Sequence, residues 1–127
     1  MSSLPFLSLQ SIEKEIVTDL FSRRTIVGKQ EMIVWASAKA GCHAKAHLHP
    51  NEQIFWILSG EMDCRVGEQM RTCRGGDVVV VEGGIEHEMW VRQDTEFVTM
   101  LAPPRPDLMP GTEVPVHLRG SETPEAV

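Results

Sequence analysis

The sequence predicts an all-β domain, an antiparallel sandwich or barrel. Two observations carry this. From Gln30 onward the chain is a series of short runs rich in strand-forming residues. These runs recur every roughly 8–12 residues with turn residues between them, the pattern of small sandwiches and barrels. The length, 127 residues, suits one domain that buries its own core.

Residues 1–29 read as an N-terminal arm of mixed character. Ile12, Ile16 and Leu20 are spaced by four, which fits a short amphipathic helix or strands leading into a barrel. The barrel spans 30–105. Its first run is 31–38, EMIVWASA, closed by Gly41. Residues 44–49, AKAHLH, follow, then a Pro50-Asn51 turn, then 52–60, EQIFWILSG. The segments 61–66 and 69–74 flank Gly67-Glu68 and predict a hairpin. Gly75-Gly76 breaks the chain before 77–82, DVVVVE. Gly83-Gly84 separates that run from 87–92, and Gln93-Asp94 separates 87–92 from 96–101, EFVTML. Beyond Leu101, six of 26 residues are proline, which excludes a central strand. Residues 106–127 therefore read as a C-terminal tail.

Twelve Lys+Arg against 18 Asp+Glu give a net charge of −6. That balance speaks against a nucleic-acid or anionic-membrane partner, both of which select clustered positive charge. No apolar run reaches the roughly 18 residues of a membrane span. The first fifteen residues lack the basic start of a secretory leader. Cys42, Cys64 and Cys73 form no CxxC pair and are odd in number. A reduced, cytoplasmic protein is the expectation.

The informative residues are His47, His49 and His87. Alternate residues of a strand face one side, so His47 and His49 point together. Gln53, Phe55 and Ile57 continue that parity if the register survives the turn. One face then carries two imidazoles, an amide and apolar side chains, as the interior of a small barrel with a metal at its mouth would. His87 reaches the same place from another strand. Three imidazoles and an amide oxygen suit a borderline divalent metal: Fe, Mn, Ni or Zn. Glu52, adjacent to Gln53, has the opposite parity. Lys45 and His43 share the parity of His47, so a straight strand would place them at the pocket mouth; Lys45 is expected as a solvated edge residue. Glu86 and Glu88 are expected outside. Trp56 should pack outside the barrel, against a second subunit.

The segment Gly41-x5-His47-x-His49-x3-Gln53-x6-Gly60 resembles the first motif of the cupin superfamily. The segment Gly76-x5-Glu82-x-Gly84-x2-His87 resembles the second, with 15 residues between the two. The resemblance implies a single cupin jelly-roll, an antiparallel β-barrel. It also implies a divalent metal on His47, His49, Gln53 and His87, and a homodimer. Gln53 stands where cupins carry a glutamate ligand, Glu82 where they carry Pro, and Val91 where they carry Asn. Within the superfamily, HLHPNEQ and the later Pro103-Pro104-Arg105 look like the small cupin of pectin degradation that linearises unsaturated uronates. That type lines its site with Asp, Phe and Arg. Here the stretch is Thr99-Met100-Leu101-Ala102-Pro103-Pro104-Arg105, and of the three only Arg105 matches.

These substitutions have chemical consequences. A carboxylate ligand cancels one unit of metal charge and an amide cancels none. A Gln53 site thus keeps a formal +2, favours anionic or enolate-forming ligands, and stabilises Fe(III) less. Thr99 has no suitable pKa for a general base near neutral pH. Phe97, Thr99 and Leu101 share one strand face. Arg105, after a stiff Pro pair, would hold a carboxylate on the ligand. Arg105 and Thr99 are therefore the candidate catalytic-site residues. The leading reading is a metal-dependent, non-redox enzyme (isomerase, lyase or tautomerase) acting on a small oxygenated anion. A non-haem iron dioxygenase and a non-catalytic binding module remain open.

Overall fold

The computed structural model describes residues 5–109. Among them are eight strands, two short 3-10 turns and no α-helix: β1 Glu15–Thr18, β2 Phe21–Val27, β3 Met32–Ala38, β4 His43–His47, β5 Glu52–Val66, β6 Gln69–Arg74, β7 Val78–Val81 and β8 His87–Ala102. The 3-10 turns are Leu9–Ser11 and Pro106–Leu108. No helix among the described residues is long and apolar enough to cross a membrane.

Every strand pairing is antiparallel. The path runs β1-β2-β3-β8-β5-β6, with β4 on β8 and β7 on β5. The long strands β5 and β8 hold the molecule together. One stretch of the pair runs from Gln53↔Leu101 to Ile57↔Phe97, and the other from Met62↔Val91 to Val66↔His87. Between these lie register shifts from Ile57 to Met62, which bend the sheet over itself. Gly60 makes the bend possible. Its φ is 100°, and a side chain there would strike Thr95 Oγ1 and the Asp94 carbonyl. The inward parity of β5 changes across the bend, from Gln53, Phe55 and Ile57 to Met62 and Cys64. Both halves of β5 and β8 feed one core that includes Phe55, Ile57, Met62, Val91 and Phe97. The all-β antiparallel barrel expected from the strand pattern is the fold observed.

Residues 15–27 join the sheet as β1 and β2 rather than forming a helix. In β2 the alternation Phe21, Arg23, Thr25 faces inward. Two polar residues at inward positions hide that strand from a hydrophobicity scan. The sheet therefore begins N-terminal to residue 30, through the pairing of Val27 with Met32. Of the 106–127 segment, only 106–109 lies within the described residues. All three cysteines are free core thiols, and burial pushes Cys42 up to about 12.

Candidate metal centre

The two histidine-bearing segments are joined by backbone contacts. His47 and His87 are cross-strand partners in the β4–β8 pair. The Gly84 N–H donates to the His49 carbonyl at 2.8 Å. Gly83 lies so close to Pro50 that a side chain there would strike the Pro50 carbonyl oxygen. The glycine pair thus lets the loop before His87 pack on the loop after His49.

Three rings converge as a result. Centroid separations are 4.3 Å for His47–His87, 5.0 Å for His49–His87 and 5.8 Å for His47–His49. One ligand atom from each lies within 4.8 Å of the others. First-row divalent ions sit about 2.0–2.2 Å from N and O ligands, so atoms sharing one ion stand at most about 4.4 Å apart, and this cluster reaches that spacing with side-chain shifts of a few tenths of an ångström.

Backbone carbonyls set the tautomers. Nδ1 of His47 lies 2.6 Å from the Lys45 carbonyl, Nδ1 of His49 3.0 Å from that of Asn51, and Nδ1 of His87 2.9 Å from that of Ile85. A carbonyl only accepts, so each Nδ1 carries the proton and each Nε2 presents its lone pair. His87 is fully buried, and its Nε2 has no hydrogen-bond partner among the described residues. His49 Nε2 faces Gln53 Oε1 at 3.0 Å. A neutral imidazole cannot donate to both Asn51 O and Gln53 Oε1. Two facing acceptors at that spacing, beside an orphaned Nε2, fit a shared cation. The residues present therefore fit a divalent metal.

Electrostatics agree. Burial is the main cause depressing all three imidazoles, and His47 falls to about 4. Arg105 adds a positive charge that lowers each of them further. The neutral ring is the ligating form.

The remaining sequence-derived positions fall on both sides of the wall. Thr99 and Arg105 line the same cavity as His47 and Gln53, as do Phe97 and Leu101. Arg105 is buried, but Nε and Nη2 hold Asp107 at 3.1 and 2.6 Å. The two-pronged contact expected with a ligand is made with Asp107. Glu52 is exposed, as its parity requires. Lys45 and His43 do not line the mouth, because a bulge between Ala44 and His47 breaks the alternation. Lys45 is exposed. His43 stacks on Trp90 at 5.3 Å and contacts Glu88 Oε2 at 2.6 Å on the outer side. Glu86 and Glu88 also face outward, but Arg65 bridges them.

Two participants had no signal in the motifs. Asp107, about half exposed, holds the Arg105 guanidinium at 2.6 Å and only weakly opposes the net lowering of His49. Asn51 donates from Nδ2 to the Pro103 carbonyl at 2.5 Å, tying the histidine loop to the chain before Arg105.

The cupin domain family matches residues 34–102, more than half the chain. No curated protein is close enough in sequence to match. Among solved structures, KdgF from a Halomonas species superposes with TM-score 0.78 at 18% identity, covering 84% of this chain and 100% of that one. An RmlC-like cupin from Shewanella frigidimarina gives 0.79 at 19% identity, over 84% and 97% of the two chains. The polyketide cyclase RemF from Streptomyces resistomycificus gives 0.71 at 14% identity, over 82% of each. At such identities the likeness is one of fold, and this fold hosts many chemistries. With the family's domain matched from β3 to β8 on a barrel of that fold, the chain belongs to the cupin family.

Proposed function

We propose that the protein is a metal-dependent, non-redox enzyme acting on a small oxygenated anion. Its ion would be held by His47, His49, His87 and Gln53. The observation that carries this reading is the tautomer set: three carbonyl-locked imidazoles turn Nε2 to one point, with Gln53 Oε1 beside them. A divalent ion bound there supplies Lewis acidity toward a carbonyl oxygen. Gln53 leaves the full charge of that ion uncancelled, which favours anion binding over redox cycling.

The chain's own groups divide the remaining tasks. Arg105 draws anions to the mouth and, through its fork, fixes the Asp107 carboxylate. Thr99 offers a hydroxyl to an oxygen of the substrate. The apolar walls exclude water. Elemental analysis of the purified protein, followed by oxygen-uptake measurements after iron loading, tests the reading. Stoichiometric divalent metal without oxygen consumption supports it, and substrate-dependent oxygen uptake replaces it with a dioxygenase.

Arg105→Ala is expected to weaken the best binder from a thermal-shift screen of sugar acids, diketones and catechols. The loss should be roughly 1–3 kcal/mol, that of a charged hydrogen bond. Metal content should be unchanged. Equal affinity of the two proteins would remove Arg105 from the site.

The homodimer belongs to the same proposal. Two apolar rows cross the outer sheet face in register: Val80, Ile54, Met100, Ile33, Ile26, and beside them Val78, Trp56, Val98, Trp35. Val78, Val80 and Trp56 are about half exposed. A continuous face of this kind wants cover. Trp56→Glu is expected to convert a dimer to a monomer in light scattering. A wild-type monomer at high concentration would sink this part.

A further inference from the structure

The interior beyond the histidines is apolar. Val34, Ala36, Met62, Met89, Val91 and Phe97 form its walls. A polyhydroxylated ligand would leave its hydroxyls unpaired against them, at a cost no wall contact offsets. One charged side chain interrupts this surface at the deep end.

Arg23 lies on β2 in the cross-strand row Ile57, Phe97, Ala36, Arg23. Gln53 is four residues nearer the mouth along β5, about 13 Å of strand. The Arg23 side chain is 2% exposed and borders the cavity. Nε donates to Glu15 Oε1 at 3.1 Å, its cross-strand partner. The two Nη groups make no hydrogen bond among the described residues. A guanidinium has five donors, and one is used here. Two residues along the same inward face, the buried Thr25 hydroxyl also has no partner.

We infer that Arg23 is a second, deep anion-binding group, and that the barrel takes an apolar-bodied carboxylic acid whose carboxylate pairs with Arg23. The ligand's other end then lies toward His47 and Gln53. This rests on the proposed ligand-binding role of the interior and does not require the metal. It narrows the substrate class from small oxygenated anions to those with a hydrocarbon middle, and it sets sugar acids apart.

The test is calorimetric titration of the full chain with butanoate, hexanoate and glucuronate. It is repeated in the His47→Ala, His49→Ala protein, so that chelation of a carboxylate at the histidines cannot contribute. Affinity is expected to rise about fourfold per added methylene. Glucuronate, also of six carbons, is expected to bind at least tenfold more weakly than hexanoate. Arg23→Met should weaken hexanoate at least tenfold. Glu15→Gln should tighten it, because the competing carboxylate is gone while the guanidinium remains. Glucuronate binding as tightly as hexanoate overturns the inference. So does a lowered melting temperature in both variants with hexanoate affinity unchanged, which leaves the Arg23–Glu15 pair a purely structural one. Metal content is measured separately, so a protein that binds hexanoate but holds no metal overturns only the proposed enzyme.

Discussion

Replacing His47 and His49 together with alanine is expected to abolish metal retention and leave the barrel folded. The reason lies in where the two rings sit. Both are on the short β4 segment and the loop that follows it, outside the main apolar cluster. The core is carried by β5 and β8. Truncation removes two of the three imidazoles whose ligand atoms lie within 4.8 Å of one another, and the remaining His87 and Gln53 cannot hold an ion in competition with water. The cost to the apoprotein is small, because the lost Nδ1 contacts are local ones to Lys45 and Asn51. Elemental analysis after gel filtration reads the metal, and far-ultraviolet circular dichroism reads the fold. Full metal occupancy in the double variant would end the metal reading. A milder companion, Gln53→Glu, should retain metal while lowering the net charge of the site by one.

Metal-free protein is expected to lose stability as pH falls from about 6.5 toward 4. The sign follows from proton counting. An unfolded histidine titrates near 6.5, while folded His47 is held down to about 4. Between those values the unfolded chain binds the proton and the folded chain does not, so stability drops as acid is added. Above the ordinary value the contribution is constant, and below about 4 no more is lost. His47 is partly exposed, so its share is on the order of 2 kcal/mol after screening is allowed for. His49 and His87 shift in the same direction and add to it. The measurement is the urea midpoint against pH for the EDTA-treated protein. The control is a variant with all three histidines changed to glutamine, which corrects for titrating carboxylates. Parallel profiles for the two proteins would show that burial of the rings is not what links stability to pH. Added divalent metal should move the loss to lower pH, because ion and proton compete for the same Nε2 lone pairs.

Features with a short physical range could be read from the residues in order. Strand alternation repeats every two residues, so His47 and His49 were bound to share a side, and the sequence separated Gln53 from Glu52 correctly. Glycine spacing reports backbone geometry directly: Gly60 marks the bend, and Gly83-Gly84 the close pass beside Pro50. Turn residues between β-branched runs pointed to the all-β class, and the spacing of histidines and glycines in two motifs carried the cupin resemblance. Residues 12–20 stayed ambiguous, because a four-residue spacing serves a helix or strand edges equally well until a partner strand is present. Here β2 supplies that partner.

The rest depended on hydrogen-bond register and on which face closes over the core, and neither is local. The bulge between Ala44 and His47 turns His43 and Lys45 out of the mouth, because one extra residue inverts every parity before it. The shifts around Gly60 likewise exchange odd for even inward positions in β5. Asp107 reaches Arg105 only through the 3-10 turn after the proline pair. Arg23 is an ordinary charge in the sequence, and closure of the barrel is what places it inside. Local alternation thus set which side chains could meet, and the non-local register of β4, β5 and β8 decided which of them did.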